Sequence, residues 1–287
     1  MTKSRTQLQP ILLCAVFLAS CRTPVADLAS REWRAHESLN AVLWTQTSAE
    51  YDVSAEQAYR LARMELDEAL KPKNAHWTAA VEQTGDFSDL APAVILDVDE
   101  AVLDNSFFEA RRVKSGEAFR LDAWNAWVRE EKAPAVPGAL EFATYAEERG
   151  VRIFYVSNRT RDVEQSTRRN LHKLGFPVDP DGGNILSKGE RAEWRSDKGS
   201  RREFVAREHR ILLLVGDDFN DFLSGSELPP ERRVALARHY RGHWGVKWIL
   251  IPNAFYGTWE RSLSAFDTTL PRSHILRRKY EALETRE

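Results

Sequence analysis

Residues 94–106 read VILDVDEAVLDNS, which puts four acids, Asp97, Asp99, Glu100 and Asp104, into eight positions behind an apolar run. No turn residue separates the apolar run from the charge. Carboxylates so placed have two readings. At the carboxyl end of a parallel strand they build a site for a metal or a phosphate. Ahead of a helix they form an acidic first turn that complements the helix dipole. Two further apolar runs end in groups that could share chemistry with them. VRIFYVSNR (151–159) offers Ser157, Asn158 and Arg159, and ILLLVGDD (211–218) offers Asp217 and Asp218, with Asp221 just beyond. Lys198 precedes that last run, at a helix start in SDKGSRREFVARE. An acidic strand end alone is common. Acids, a hydroxyl, an amide and a lysine on successive strand ends are a different matter.

The runs that must position these groups are continuous in hydrophobicity rather than alternating. WILIPN (248–253) is another, and NILSK (184–188) reads as a shorter fifth. GALEFATYAEERG and VEQSTRRNLHKLG, lying between them, read as helices. Strand alternating with helix predicts an α/β fold, a parallel sheet covered on both faces with ligands outside the strand carboxyl ends. Before the sheet, apolar residues spaced by three and four over 31–83 predict a helical N-terminal extension (31–90). Ser54 with Gln57 resembles a capping box there, and Pro72 follows the last helical turn. Residues 105–136, which include FRLDAWNAWVREEKA, interrupt the alternation and predict a small helical insertion after the first catalytic strand, a lid or recognition element. His172 and His209 read into helices, none of the seven histidines has metal-ligand spacing, and no RHG motif is present. A histidine-nucleophile phosphatase is thereby disfavoured.

Composition sets the outer bounds. The chain has 287 residues, 43% hydrophobic and 29% charged, which allows one large domain or one domain with an appendage. Its 41 basic and 43 acidic residues leave a formal charge of −2, which argues against a general binder of nucleic-acid polymers. RSDKGSRR (195–202) is the one local basic cluster. At the N-terminus, Lys3 and Arg5 precede ILLCAVFLA and then small residues, the order of a secretory signal over 1–20. LASC (18–21) resembles the lipobox of bacterial lipoproteins, so Cys21 is expected to carry lipid and 21–30 to act as a tether. Cys14, the other cysteine, lies inside the signal, so no disulfide is expected. Arg22 is not the Asp associated with inner-membrane retention, which points to the outer membrane in a cell with two membranes.

With the motifs in place, ILDVDEAVLDN, FYVSNR, Lys198 and VGDDFNDF resemble the four motifs of the haloacid dehalogenase (HAD) superfamily. More narrowly they resemble the class C bacterial acid phosphatases, whose four aspartates fall on Asp97, Asp99, Asp217 and Asp221. WNAWV (124–128), PGALEF (137–142) and PNAFYGTWE (252–260) extend the likeness over about residues 33–275. The resemblance implies a HAD-like Rossmannoid phosphatase domain over 31–287 and a lipid-anchored, homodimeric 5'-nucleotidase acting outside the cytoplasm. It casts Asp97 as the nucleophile and Asp99 as the acid that protonates the leaving oxygen and then activates water. It implies Mg²⁺ held by Asp97, the Asp99 backbone carbonyl and Asp217, with Asp221 and Asp218 behind them. Ser157, Asn158 and Lys198 would hold phosphate; Lys188 is a rival for the lysine's role, and Lys198 stands where the family places it. Trp124 and Tyr256 match positions that stack a nucleobase, whereas Trp127 and Trp259 are expected to pack. Ala101 departs from the family's Thr, which loosens one expected brace on the nucleophile's loop. Asp104 is expected to structure the following loop or helix. A HAD phosphatase for non-nucleotide phosphates and a non-catalytic surface lipoprotein that binds nucleotide or a partner are the alternatives.

Overall fold

The computed structural model describes residues 36–285. The expected signal, Cys21 and its tether, and residues 31–35 of the expected extension lie outside the described residues. Five strands form one parallel sheet: β1 (Ala91–Leu96), β2 (Arg152–Thr160), β3 (Ile185–Lys188), β4 (His209–Gly216) and β5 (Trp248–Leu250). Their order across the sheet is β3-β2-β1-β4-β5, so β1 is central. The side chains of β1 alternate between two cores, as strand geometry requires. Val94 and Leu96 join one apolar cluster, and Ala93 and Ile95 the other. Both faces are therefore covered, which is why the strands read as continuous apolar runs.

Helix α1 (Leu39–Thr47) and helix α2 (Ala49–Ala69) make up the N-terminal extension. α2 starts at Ser48, whose Oγ accepts the Tyr51 N–H at 3.1 Å, with Glu50 and Asp52 in its first turn. Ser54 and Gln57 therefore lie inside α2 and cap nothing. Tyr51, Ala55, Tyr59, Ala62, Leu66 and Ala69 form its buried stripe at spacings of three and four. The predicted helix over 31–83 holds for 39–69. After Ala69 only a 3₁₀ turn at Pro72–Asn74 follows, and the chain then runs as turns to β1. Pro72 ends the α-helix by removing a backbone donor.

The insertion consists of helix α3 (Ser106–Ser115) and helix α4 (Leu121–Glu130). It returns alongside the loop that follows β1: Val136 N–H donates to Val102 O at 2.9 Å and Asp104 N–H to Pro134 O at 2.9 Å. Helix α5 (Ala139–Glu148) leads to β2, helix α6 (Glu164–Leu174) to β3, helix α7 (Gly199–Ala206) to β4 and helix α8 (Pro230–His239) to β5. Helix α9 (Thr258–Ser262) and helix α10 (Arg272–Glu281) close the described chain. His172 lies in α6 as read, but His209 opens β4 rather than sitting in a helix. No described helix is long and apolar enough to cross a membrane.

Candidate active site

The crossover direction reverses between β1 and β4, and a doubly wound sheet has its crevice at the carboxyl ends of such a pair. Asp97 and Asp217 stand there on adjacent strand ends, with the Asp97 N–H bonded to Val215 O at 2.8 Å. Asp221 folds back over the end of β4. Its Oδ2 accepts the N–H groups of Asp217 at 3.1 Å and Asp218 at 2.9 Å. Gly216 makes this possible, because a Cβ there would overlap the Asp221 carboxyl. One oxygen from each of Asp97, Asp217 and Asp221 lies within 4.8 Å of the others. Asp221, expected behind the metal to orient a water or Lys198, stands beside the other two acids.

Lys198 is the N-cap residue of α7 and is buried with the acids. Its Nζ lies 2.6 Å from Asp221 Oδ1 and pairs with Asp97 Oδ1. Lys188 ends β3 and makes no ion pair among the described residues, so Lys198 is the lysine at the acids. Burial pushes Asp97 up to about 7; Lys198 opposes this, and Asp221 and Asp99 add to it. Burial, then Asp221 and Asp97, raise Asp217 well above the usual carboxylate range. Burial alone would lower Lys198, but Asp221 and Asp97 hold it above its ordinary value. One lysine pairs with two of the three acids, all donors are oxygen, and burial keeps Asp97 and Asp217 from ionising readily. That donor set fits a hard divalent cation. Asn253 Nδ2 donates to Asp217 Oδ2 at 2.7 Å and leaves the other oxygen of Asp217 for it.

The Asp99 side chain stands outside this cluster. Arg159, itself buried, holds Asp99 Oδ1 with Nε at 2.9 Å and Nη2 at 2.8 Å. Asn105 Nδ2 donates to the same oxygen at 3.0 Å, and Ser157 Oγ is 3.4 Å from the other. Ser157 therefore faces the expected acid–base residue. Asn158 is engaged elsewhere: its Nδ2 donates to Ser196 O at 3.0 Å, and its Oδ1 accepts from Arg201 Nη2 at 2.7 Å. Both polar atoms of the Asn158 side chain, expected to bind phosphate, therefore have protein partners here. Asp218 likewise turns from the acids toward Asn220 N–H, at 2.9 Å, and Thr258. Asp104 accepts the Ser106 N–H at 2.7 Å and starts α3, the structural role expected of it.

Of the two expected stacking residues, Trp124 is buried edge-on to Phe108 at 5.1 Å, with the Arg159 guanidinium 5.7 Å from its ring. Tyr256 is half-buried, and its hydroxyl donates to Glu100 Oε2. Trp127 packs in the core and bonds Asn105 Oδ1 at 2.8 Å, whereas Trp259, expected to pack, is 43% exposed.

Several supporting residues were not legible. Glu100 is buried with a left-handed backbone (φ 61), and burial first, then Asp99 and Asp104, raises its carboxyl well above the usual range. Tyr59 of α2 donates its hydroxyl to Ala101 O, so the loop that lacks the expected Thr is pinned from another element. Within the basic cluster at 195–202, Arg195 is exposed, but Arg201 and Arg202 are buried. Arg201 bonds Ser157 O at 2.5 Å and Asn158, and Arg202 bonds Asn220 O at 3.1 Å and Asp221 O at 3.0 Å. Glu82 pairs with Arg202 at 2.6 Å. Two consecutive arginines on the lysine's helix thus tie α7 to both neighbouring loops.

Sheet order, acid cluster and buried lysine define a Rossmann-like α/β protein with an acidic, lysine-braced centre at its switch point. The chain belongs to the HAD superfamily, subfamily IIIB (acid phosphatase), whose family model matches residues 13–259. A class C acid phosphatase from Bacillus anthracis superposes with a TM-score of 0.76 at 30% identity, over 87% of this chain and 98% of that one. The same figures hold for its structure with tungstate bound. Two stem glycoproteins of Glycine max, of 28 and 31 kDa, are 26% identical over 141 residues, 46% of this chain. The chain spans about half the length of these curated relatives, 52% and 46% respectively.

Proposed function

We propose that this chain is a Mg²⁺-dependent acid phosphatase that hydrolyses phosphomonoesters, nucleoside 5'-monophosphates among them, outside the cytoplasm. The observation that carries the reading is Asp97, buried at the end of the central strand against Lys198, with Asp217 and Asp221 beside it. The Asp97 carboxylate attacks phosphorus, the ester P–O bond breaks, and Asp99 gives its proton to the leaving oxygen. Water then attacks the aspartyl-phosphate, Asp99 takes the water's proton, and inorganic phosphate leaves with Asp97 regenerated. Arg159 and Asn105 orient Asp99 for both transfers. Lys198 offsets charge on the nucleophile and on the phosphoryl oxygens. A bound Mg²⁺, held by Asp97, Asp217 and the Asp99 carbonyl, would offset the repulsion between anionic nucleophile and anionic substrate. Tungstate is a tetrahedral oxyanion like phosphate, and its presence in the class C relative supports an oxyanion site here.

Tyr256 is the residue on which a nucleobase would stack, a contact worth about 1–3 kcal/mol per base in nucleic-acid systems. The burial of Trp124 among Phe108 and Arg159 favours a second reading, a phosphatase with wider tolerance for non-nucleotide esters. The lipobox supports attachment of Cys21 to the outer membrane, and family likeness supports a homodimer. Phosphate release from 5'-AMP and from a panel of alkyl and aryl phosphates, with Mg²⁺ and with EDTA, tests the reading. Release from 5'-AMP that requires metal supports it; no release from any ester refutes it.

A further inference from the structure

Tyr256 sits near the end of the loop that joins β5 to α9, and that loop is fastened at three points to the loops carrying the acids. Asn253 Nδ2 donates to Asp217 Oδ2 at 2.7 Å, and its Oδ1 accepts the Phe255 N–H at 2.7 Å. The Tyr256 hydroxyl donates to Glu100, next to Asp99 in sequence. Beyond Tyr256, the Thr258 N–H donates to Asp218 Oδ2 at 2.5 Å, and Thr258 Oγ1 donates to Asp218 Oδ1 at 2.6 Å. Thr258 is 3% exposed, so these bonds are shielded from water. Gly257 between them has φ 149, and a Cβ on it would stand 2.7 Å from Asp218 Oδ2 and 2.9 Å from Trp259 Cδ1. Only glycine lets the carboxylate come this close.

Asp218 thus has a use that the three-acid cluster does not explain. We infer that Asp218 and Thr258 clamp the 253–258 loop onto the loop of Asp217 and Asp221, and so act as specificity-positioning residues that set where the Tyr256 ring meets the organic part of the substrate. The inference rests on the phosphatase reading above and adds the residues that select the leaving group. With Tyr256 held by Glu100 on one side and by the Asp218–Thr258 clamp on the other, the ring is fixed before substrate arrives. Pre-ordering removes an ordering cost from binding but leaves the phosphoryl step untouched. The clamp therefore shows in KM for substrates that meet the ring, and not for those that do not.

The test compares kcat and KM for 5'-AMP and for glycerol 2-phosphate in the Mg²⁺-loaded protein. The variants are Thr258→Val, Thr258→Ser, Tyr256→Ala and the double variant Tyr256→Ala with Thr258→Val. Losing a hydrogen bond to a charged acceptor predicts that Thr258→Val raises KM for 5'-AMP about tenfold. Its kcat for 5'-AMP and both constants for glycerol 2-phosphate stay within about twofold of wild type. Thr258→Ser, which keeps the hydroxyl, restores KM. In the Tyr256→Ala background, Thr258→Val adds no further loss. Equal losses on both substrates, failure of Thr258→Ser to rescue, or a full added penalty in the double variant would overturn the inference. Hydrolysis with an unchanged preference in Thr258→Val sinks the clamp alone, whereas no hydrolysis by the unsubstituted protein sinks the phosphatase reading and the clamp with it.

Discussion

Removing the metal should make this protein less stable as pH rises, and returning it should reverse the trend. Burial first, against the opposing charge of Lys198, puts Asp97 at about 7 in the folded chain, against an ordinary value of 3.8. Between those values the folded state keeps a proton that the unfolded chain has released. Stability therefore falls with rising pH across that window, since the unfolded state binds fewer protons. From pH 5 to pH 7, Asp97 alone accounts for a loss of about 2 kcal/mol by linkage. For a domain of this size that is a fall in Tm of about 4–8 °C. Asp217 is raised as well, by burial and then by Asp221 and Asp97, so it acts in the same direction. A divalent cation on these oxygens favours their ionised forms and cancels the penalty. His36, His209 and His243 are lowered, by burial first, and give the opposite slope, but none owes its shift to the three acids. Their contribution drops out of the difference between Mg²⁺ and EDTA. The assay is thermal unfolding in each condition at pH 5 and pH 7. The Mg²⁺-dependent rise in Tm should be larger at pH 7 by at least about 4 °C. An equal rise at both values, or a larger one at pH 5, would refute the account of the acid cluster.

Lys198→Met should lower kcat by about 10²–10³, the range for losing one preorganised electrostatic group, with circular dichroism reporting an intact fold. A loss below tenfold would mean that Lys198 only fills space beside Asp97 and Asp221. Tyr59→Phe should leave Ala101 O buried without its donor, at a cost of about 1–3 kcal/mol, and lower kcat several-fold while KM holds. Unchanged Tm and kcat would show that the loop needs no brace from α2.

Much of the sheet could be read because a strand buried on both faces leaves an uninterrupted apolar run, as Val94, Ile95 and Leu96 do. The acids at its end were legible for the same reason: Asp97 and Asp217 directly follow such runs, and fold topology decides that strand ends meet. What failed was set by contacts distant in sequence. Ser54 resembled a cap, but Ser48 caps α2 through the Tyr51 N–H, and the helix runs on past Ser54. Helix periodicity in 75–83 is overridden where the Trp77 and Gln83 side chains bond the backbone at Leu212 and His209. Local spacing cannot report such bonds. Arg201 and Arg202 looked like ordinary basic residues because their acceptors, Ser157 O and Asn220 O among them, are backbone atoms without a sequence signature. The partners of Asn158 and Asp218 were equally hidden: Arg201 and Thr258, far along the chain, engage their side chains. Ala101 carried a warning that the structure answers through Tyr59, 42 positions away.

The central claim is that Asp97 is the nucleophile of a metal-dependent phosphomonoesterase. The direct measurement is phosphate release from 5'-AMP and from an aryl phosphate by protein lacking residues 1–21, with Mg²⁺, with EDTA, and with Asp97→Asn. The account predicts release that is abolished both by EDTA and by Asp97→Asn. Release that survives Asp97→Asn, or none from either ester in the unsubstituted protein, would contradict it.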